Sequence, residues 1–353
     1  MKKTLIISMF TVSMIISSLL MESFVVPTVN REPLTQTIPK GFPIPVYTYK
    51  NNPLSREGFE LGRKLFYDGR LSRDGVTSCA SCHQQFAGFA DFEHPLSHGF
   101  NSAFSFRNAP GLSNLAWQKA FHYDGGINHI EVQPLAPITD TSEMATSIDA
   151  ILLLLSNDKE YRRMFSAAFG STKISSQHLL KALAQFTGML VSADSKYDRV
   201  IAGKTTFTQW EQKGYDLFMV RCAGCHTPPL FTDQRFRNIG QPVDTFFNDY
   251  GRMRITGNQE DSLKFKVPSL RNVAITAPYM HDGRIFGLSV ALDHSKYARQ
   301  NDHRTDSLIL RAKLLDRQEV QYLSYFLRTL TDSSFLKDTN FSDPSSKRYQ
   351  HLR

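Results

Sequence analysis

The chain has 353 residues, of which 41% are hydrophobic and 21% are charged. This composition is that of an ordinary globular protein, it excludes a repeat or low-complexity chain, and the length fits about two domains of roughly 150 residues. The formal net charge is +8, but the basic residues are spread along the chain and no nucleic-acid-binding motif is present. The charge therefore indicates a basic solvated surface, and we expect no nucleic-acid partner.

Residues 1–26 are predicted to be a signal peptide or an N-terminal membrane anchor. Lys2 and Lys3 precede an apolar run over residues 5–21, which is the order of a secretory signal. The run is about 17 residues long, just enough to span a bilayer core, and its cleavage site is poorly formed, so both alternatives stay open. Either one places the body of the protein outside the cytoplasm, in the periplasm.

The remainder is predicted to be mainly α-helical, with long loops. Apolar residues recur three and four positions apart in residues 61–68 and again in 210–218. Further helical stretches cover 144–169, 175–192 and 317–330, and no convincing run of alternating strand residues is present. Residues 191–208 are interpreted as a passage between two domains, which we place at 27–200 and 201–353.

The four cysteines form two C-x-x-C-H motifs, and none is left over. The first is Cys79, Cys82 and His83, and the second is Cys222, Cys225 and His226. Two thiols at this spacing add to the two vinyl groups of one haem, and the next histidine binds the iron. Two disulfides, or one Cys₄ zinc site, would leave both histidines unexplained. The motifs therefore predict two covalent haem c groups, each in a cytochrome c-like domain.

Around these motifs the sequence resembles the bacterial di-haem cytochrome c peroxidase and MauG family over nearly the whole chain after residue 26. The segments that carry the resemblance are LFYDGRLS at 65–72, RNAP at 107–110, YDGG at 123–126, EVQPL at 131–135, FKVPSLRN at 265–272 and TAPYMHDG at 276–283. The resemblance implies that the first haem reacts with hydrogen peroxide. It also implies that the second haem accepts electrons from a small cytochrome c or cupredoxin.

The family resemblance also implies the reactive residues. Peroxide cleavage needs an open iron position, a group that moves a proton and a polar partner for the departing water. In the family these groups are a Glu and a Gln ten positions upstream, which here match Glu143 and Gln133. From the residues alone, Glu143 is equally well explained as a carboxylate at the start of a helix. Tyr123 stands where the family has a Trp between the haems, as an electron relay or a packed aromatic.

Two further positions depart from the classical peroxidases. The histidine that blocks the first iron is replaced by Phe100, which cannot bind iron, and the neighbouring His98 is a weaker alternative. The first iron is therefore expected to be open. On the second iron the position of the family's Met or Tyr falls on Ser295, so His294 is the best candidate ligand. Alternatives lie nearby at Tyr297 and Met280.

The resemblance further implies a calcium ion between the domains. Asn108, Thr276 and Pro278 match the family's calcium ligands, and their oxygen atoms suit a hard cation. A turn-capping role for Asn108 is the alternative. His281 is expected to brace the haem interface through hydrogen bonds, whereas His94, His122 and His129 are assigned to surface or hydrogen-bonded positions.

The leading hypothesis is a periplasmic di-haem peroxidase that reduces hydrogen peroxide to water. A MauG-like oxidase that modifies a protein partner is the second hypothesis, favoured by the loss of the blocking His and of the axial Met. A non-enzymatic di-haem electron carrier is the third, and Phe100 argues against it. A homodimer is left open as the assembly.

Overall fold

The computed structural model describes residues 31–297 and 302–346, so the predicted signal or anchor lies outside the described residues. The α-helices are α1 (Arg56–Tyr67), α2 (Cys79–Cys82), α3 (Leu135–Thr139), α4 (Ile148–Asn157), α5 (Lys159–Phe169), α6 (Ser176–Gly188), α7 (Lys196–Ile201), α8 (Gln209–Arg221), α9 (Met253–Thr256), α10 (Leu288–Leu292), α11 (Ser307–Arg311), α12 (Arg317–Arg328) and α13 (Ser333–Lys337). The strands β1 (Phe236–Arg237) and β2 (Phe265–Lys266) form one antiparallel pair. Short 3₁₀ turns cover Gly69–Leu71, Gln85–Ala87, Phe100–Ser102, Leu115–Trp117, Gln259–Asp261, Val273–Ile275, His294–Tyr297 and Thr339–Phe341. The mainly α-helical fold with long loops is confirmed.

The two long helices that precede the cysteine motifs each pack on a later helix at a glycine. In α1, a Cβ atom on Gly62 would lie 1.9 Å from the carbonyl oxygen of Ala182 in α6. In α8, a Cβ atom on Gly214 would lie 2.0 Å from the carbonyl oxygen of Tyr322 in α12. Any larger residue would force these backbones apart, so the two halves of the chain repeat one packing device.

The prediction of one helix over residues 144–169 is wrong, because the first helix begins later and a break divides the region into two helices. Helix α4 begins only at Ile148, where the hydroxyl of Ser147 accepts a hydrogen bond from the backbone N–H of Ala150 at 3.2 Å. Asp158 then separates α4 from α5, because its carboxylate caps α5 and also pairs with Arg70 at 3.1 Å. Asp is a strong N-cap residue, and a cap at this point ends the preceding helix.

Residues from 31 onward cluster into one compact unit, which contains two main apolar cores. The first core lies among α1, α4, α5 and α6, and it also receives Phe335 and Phe341 from the end of the chain. The second core lies between α8 and α12 and includes Tyr197 and Phe231. The segment predicted to link the domains contains the short helix α7, and the boundary at residue 200 stays a prediction.

No helix in the ranges 31–297 and 302–346 is long and apolar enough to cross a membrane.

Candidate functional site

A cavity of about 1020 Å³ contains residues from both cysteine motifs. Its wall includes Cys82 and His83 from the first motif, and Cys222, Cys225 and His226 from the second. Most of the remaining wall is apolar, as is usual where a protein holds a large flat cofactor. The cavity is therefore the place in which the sequence-predicted site residues can be compared.

At the first motif, the structure fixes which nitrogen of His83 faces the cavity. Cys79–Cys82 form the single turn α2, and His83 follows directly. The Nδ1 atom of His83 lies 2.7 Å from the carbonyl oxygen of Phe89. A carbonyl can only accept, so Nδ1 carries the proton, and burial keeps the ring neutral by lowering its pKa. The Nε2 lone pair is thereby left for a metal ion.

The second motif repeats this arrangement. Helix α8 ends at Arg221, and the Nδ1 atom of His226 lies 3.2 Å from the carbonyl oxygen of Phe231 and 3.1 Å from that of Pro268. Burial is the main reason that the pKa of His226 falls to about 4. A neutral imidazole whose Nδ1–H is held by a carbonyl offers its Nε2 atom as a ligand.

The four cysteines are all within the described residues and none of them forms a disulfide. Burial raises the pKa of Cys79 to about 12, that of Cys82 to about 11 and that of Cys222 to about 12, so these side chains are neutral thiols. Within the described parts of the chain, no three His, Cys, Asp or Glu side chains are grouped as a metal site would need.

Glu143 and Gln133 both line the cavity, on either side of α3. Burial raises the pKa of Glu143 to about 7, and the nearby carboxylate of Asp140 adds to the effect. Glu143 lies in a turn ahead of α4, whose cap is Ser147, so it is not the helix-start carboxylate of the alternative interpretation. Its carboxyl group is placed near the first motif, where it contributes to the raised pKa of Cys82 after burial.

The loop that carries Phe100 turns its aromatic side chains away from the cavity. Residues alternate along it, with Ser97 and Gly99 on the cavity wall. The ring of His98 packs against Phe104, with the ring centres 4.6 Å apart, and the ring of Phe100 lies under the guanidinium of Arg73 at 5.0 Å. Within the described residues, neither side chain lines the cavity, so this loop offers no nitrogen to a metal near His83.

Gly99 explains how closely this loop approaches the Glu143 turn. A Cβ atom on Gly99 would lie 2.2 Å from the carbonyl oxygen of Ser142 and 2.6 Å from the Cα atom of Glu143. The backbone N–H of Phe100 also donates to the carbonyl oxygen of Glu143 at 2.7 Å. The backbone of Glu143 is therefore held by the same loop that would otherwise supply a blocking ligand.

Tyr123 and His122 lie side by side on the cavity wall. The hydroxyl of Tyr123 has one distant partner, the Oδ1 atom of Asn108 at 3.5 Å, and burial raises its pKa. The Nε2 atom of His122 is buried and has no hydrogen-bond partner among the described residues. The expectation of a surface or hydrogen-bonded His122 is therefore wrong, because its ring lines the cavity with a buried nitrogen to which no described residue hydrogen-bonds. Its position next to Tyr123 was the signal that could have placed it at the site.

His294 is brought into the same cavity as His226. It follows α10, and its Nδ1 atom lies 3.0 Å from the carbonyl oxygen of Ala291, so it carries the carbonyl-anchored arrangement of the other two histidines. Burial lowers the pKa of His294, which keeps the ring neutral. Met280 lines the cavity as well, whereas the side chains of Ser295 and Tyr297 lie outside the described residues.

The three predicted calcium ligands, Asn108, Thr276 and Pro278, also line the cavity. The amide nitrogen of Asn108 donates to the carbonyl oxygen of Pro95 at 3.1 Å and is 3.4 Å from that of His94. This contact orients its Oδ1 atom away from those carbonyls, so a cation could use it. The three ligands and the ion itself stay predictions.

His281 lies in an ionic network that joins distant parts of the chain. Its ring stacks on Phe265 with centres 3.8 Å apart, and its Nε2 atom is 3.9 Å from a carboxylate oxygen of Asp249. Asp249 also receives two hydrogen bonds from Arg107, which pairs with Asp124 as well. The role of His281 as a brace of the haem interface through hydrogen bonds stays a prediction.

The residues of the cavity fit two haem groups. Each motif supplies neutral thiols and one imidazole with a free Nε2 atom. Two buried side-chain nitrogens on the wall, Nε2 of His122 and Nε2 of Gln241, lack partners among the described residues and would serve the polar groups of a ligand. Buried polar groups normally have partners, so these two indicate that the cavity is shaped for an occupant.

Comparisons with known proteins agree with this fit. The sequence pattern of the family described as di-haem cytochrome c peroxidase matches residues 56–206. The methylamine utilization protein MauG of Methylorubrum extorquens is 36% identical over 299 residues, which is 83% of this chain and 82% of that protein. The cytochrome c551 peroxidase of Nitrosomonas europaea is 31% identical over 319 residues, or 87% and 90% of the two chains. A crystal structure of a MauG-like protein associated with microbial copper homeostasis superposes with a TM-score of 0.81 at 34% identity, covering 88% of this chain and 99% of the other.

Proposed function

The chain belongs to the di-haem cytochrome c peroxidase and MauG family, and on that premise we propose that it is an exported, periplasmic peroxidase that reduces hydrogen peroxide to water. Its electrons would come from a small external redox protein. The observation that carries the proposal is the buried Glu143, with a pKa of about 7, in one cavity with Gln133 and His83. A carboxyl group with this pKa can both accept and return a proton near neutral pH.

The first site would perform the peroxide chemistry. A bound haem supplies the redox-active iron, which His83 would hold. The Glu143 carboxylate then accepts a proton from one peroxide oxygen and delivers it to the other, so that water can leave. The amide of Gln133 holds the departing oxygen by a hydrogen bond. In total, one hydrogen peroxide, two electrons and two protons give two water molecules.

The second site would take up the electrons. His226 and His294 would hold its iron through their Nε2 atoms, since each Nδ1–H is fixed to a carbonyl. An iron held by two histidines would supply electron transfer. Tyr123 would stand between the two sites, and Asn108, Thr276 and Pro278 would hold a calcium ion.

An EPR spectrum of the oxidised, as-isolated protein, followed by a peroxide assay, tests the proposal. We expect a high-spin signal from the first haem, because the loop at residues 97–100 offers no ligand, and a low-spin signal from the second. Reduced small cytochromes or dyes should then be oxidised only when peroxide is added. Haem-loaded protein that oxidises none of them with peroxide would contradict the proposal.

A MauG-like oxidase that modifies a protein partner is the second candidate. Two observations favour it, namely the 36% identity to MauG from two organisms and the 34% identity to the MauG-like protein of known structure. The absence of Met from the family's ligand position, which falls on Ser295, agrees with it. A long-lived spectral change after peroxide, with poor turnover of small donors and a covalent change in a second protein, would favour this candidate over the peroxidase.

A further inference from the structure

The cavity opens to solvent beside the second cysteine motif. The exposed wall residues that come from the end of α8, from the second motif and from residues 308–313 are called the cavity mouth: Val220, Gly224, Leu308, Arg311, Ala312 and Lys313. Val220 is 82% exposed, and Leu314, next to the mouth, is 60% exposed. Large apolar side chains at such exposure are normal when single, but here they gather at the opening of a cofactor cavity.

The apolar part of the mouth lies directly over the haem-attachment turn. A Cβ atom on Gly224, inside the motif, would be 3.6 Å from the Cδ1 atom of Leu308. Val220 is two positions ahead of Cys222, at the end of α8. A haem bound to Cys222 and Cys225 would therefore be reached from solvent through this apolar surface.

A hydrogen bond and two ion pairs hold together the segments that form the cavity mouth. Arg221 donates to the backbone carbonyl of Lys313 and pairs with Glu319 at 3.5 Å, which ties the end of α8 to the segment before α12. Asp306, at the start of α11, pairs with Arg237 at 2.6 Å. The negative charges of Glu319 and Asp306 are therefore each balanced by an arginine, Arg221 and Arg237 respectively.

The two charged residues of the cavity mouth are both basic. Arg311 and Lys313 are both exposed, and neither is within ion-pair distance of a carboxylate in the described parts of the chain. Between Asp306 and Glu319 the one further acidic residue is Asp316. Its side chain accepts a hydrogen bond from the backbone of Glu319 as the cap of α12. The mouth thus has an apolar centre beside two unpaired positive charges.

We propose that the cavity mouth is the docking surface for a small acidic redox protein that delivers electrons to the second haem. The inference rests on the proposed function and specifies the partner's chemistry. Opposite charges steer a partner and raise the association rate, whereas an apolar centre expels water and brings the two cofactors close. Electron-transfer partners form small, transient interfaces, so a few residues around the mouth can be enough for docking.

One donor protein in two charge states provides the test. Horse-heart cytochrome c is strongly basic, and succinylation of its lysines makes the same fold acidic. Binding of both forms to the haem-loaded protein is measured at low and at physiological ionic strength. We expect the succinylated form to bind at least about tenfold more tightly at low salt, and this advantage should shrink as salt screens the charges.

The charge-reversal variant R311E/K313E should abolish the preference for the succinylated form. The control R163E/K173E makes the same change in net charge at two exposed residues in the first half of the chain that do not line the cavity. The control should keep the preference. Equal binding of both cytochromes, or an equal loss of preference in both variants, would overturn the inference.

Peroxide-dependent oxidation of guaiacol, a small neutral donor, separates this inference from the proposed function. If guaiacol turnover is normal and the binding preference is absent, the docking surface is wrong and the peroxidase proposal stands. If neither guaiacol nor either cytochrome is oxidised with peroxide and the preference is present, the docking surface stands and the peroxidase proposal is wrong. In R311E/K313E, guaiacol turnover should stay within about twofold, since these side chains act on the partner's charge.

Discussion

Both cysteine motifs contribute to one cavity, which Gln133 also lines. Glu143 lies near Cys82 of the first motif, whereas His294 lies near His226 of the second motif. Both motif histidines are anchored in the same way, through Nδ1 to a backbone carbonyl, and both follow a helix that packs on another at a glycine. The two attachment sites are therefore equivalent in their support. They differ in the side chain that lies nearby, and the proposed peroxide chemistry at one site and electron entry at the other rest on this difference.

Among the substitutions that test the difference between the two sites, Glu143→Gln should have the largest effect on activity. It keeps the shape of the side chain but removes the proton acceptor, so kcat/KM for peroxide should fall by about 10²–10⁴-fold. The low-spin EPR signal of the second site should not change. Stopped-flow kinetics with peroxide gives the rate, and full activity in this variant would remove Glu143 from the mechanism.

The pH dependence of peroxide reduction is the next test. The ionised form of Glu143 accepts the proton, so kcat/KM should rise with pH up to about 7 and level off above it. Below that value, the rate should fall by about tenfold per pH unit, because the ionised fraction falls by that factor.

The variant Asp140→Asn is the matched control for this profile. This substitution removes a negative charge near Glu143. The pKa of Glu143 should therefore fall, and the midpoint of the pH profile should move to lower pH. The plateau rate above pH 7 should stay nearly the same. A midpoint that does not move would mean that another group controls the profile.

The substitution His294→Met tests the second site alone. A methionine sulfur as axial ligand raises the reduction potential relative to a histidine, so the potential of the second haem should rise and its low-spin EPR signal should change. The high-spin signal of the first haem should remain. Met280→Leu serves as the control, and if that variant changes the low-spin signal while His294→Met does not, Met280 is the ligand.

Tyr123→Phe has the smallest expected effect. The hydroxyl makes one contact at 3.5 Å, to Asn108, and no carboxylate accepts its proton among the described residues. Its removal should change turnover by less than about tenfold, since a weak hydrogen bond contributes roughly 1 kcal/mol. A loss as large as that of Glu143→Gln, measured in the same assay, would instead show that the phenol proton takes part in electron transfer.

The sequence allowed prediction of the parts of the site that depend on local spacing. The two C-x-x-C-H motifs and helices α1, α8 and α12 follow from short patterns, because thiol spacing and apolar periodicity are local properties. The break of the predicted 144–169 helix depends on the Asp158 side chain, which caps α5 and pairs with Arg70 from another part of the chain. Such a distant partner is not visible in a local pattern.

Side-chain direction in the long loops was equally hard to predict. Whether His98 or Phe100 faces the cavity depends on the pairing of His98 with Phe104 and on the close contact of Gly99 with the Glu143 turn. The place of His122 depends on how the loop 118–126 folds over the cavity. These features arise from tertiary packing, which overrides the propensity of single residues.

The last described segment of the chain affects the order in which the protein can mature. Arg63 of α1 donates to the carbonyl oxygen of Asn340, 277 positions later, and Tyr67 donates to that of Phe341. Closing a loop of this length costs chain entropy before the contact is gained. Phe335 and Phe341 belong to the core beside the first cysteine pair, so this core can be complete only once the chain has been made as far as Phe341.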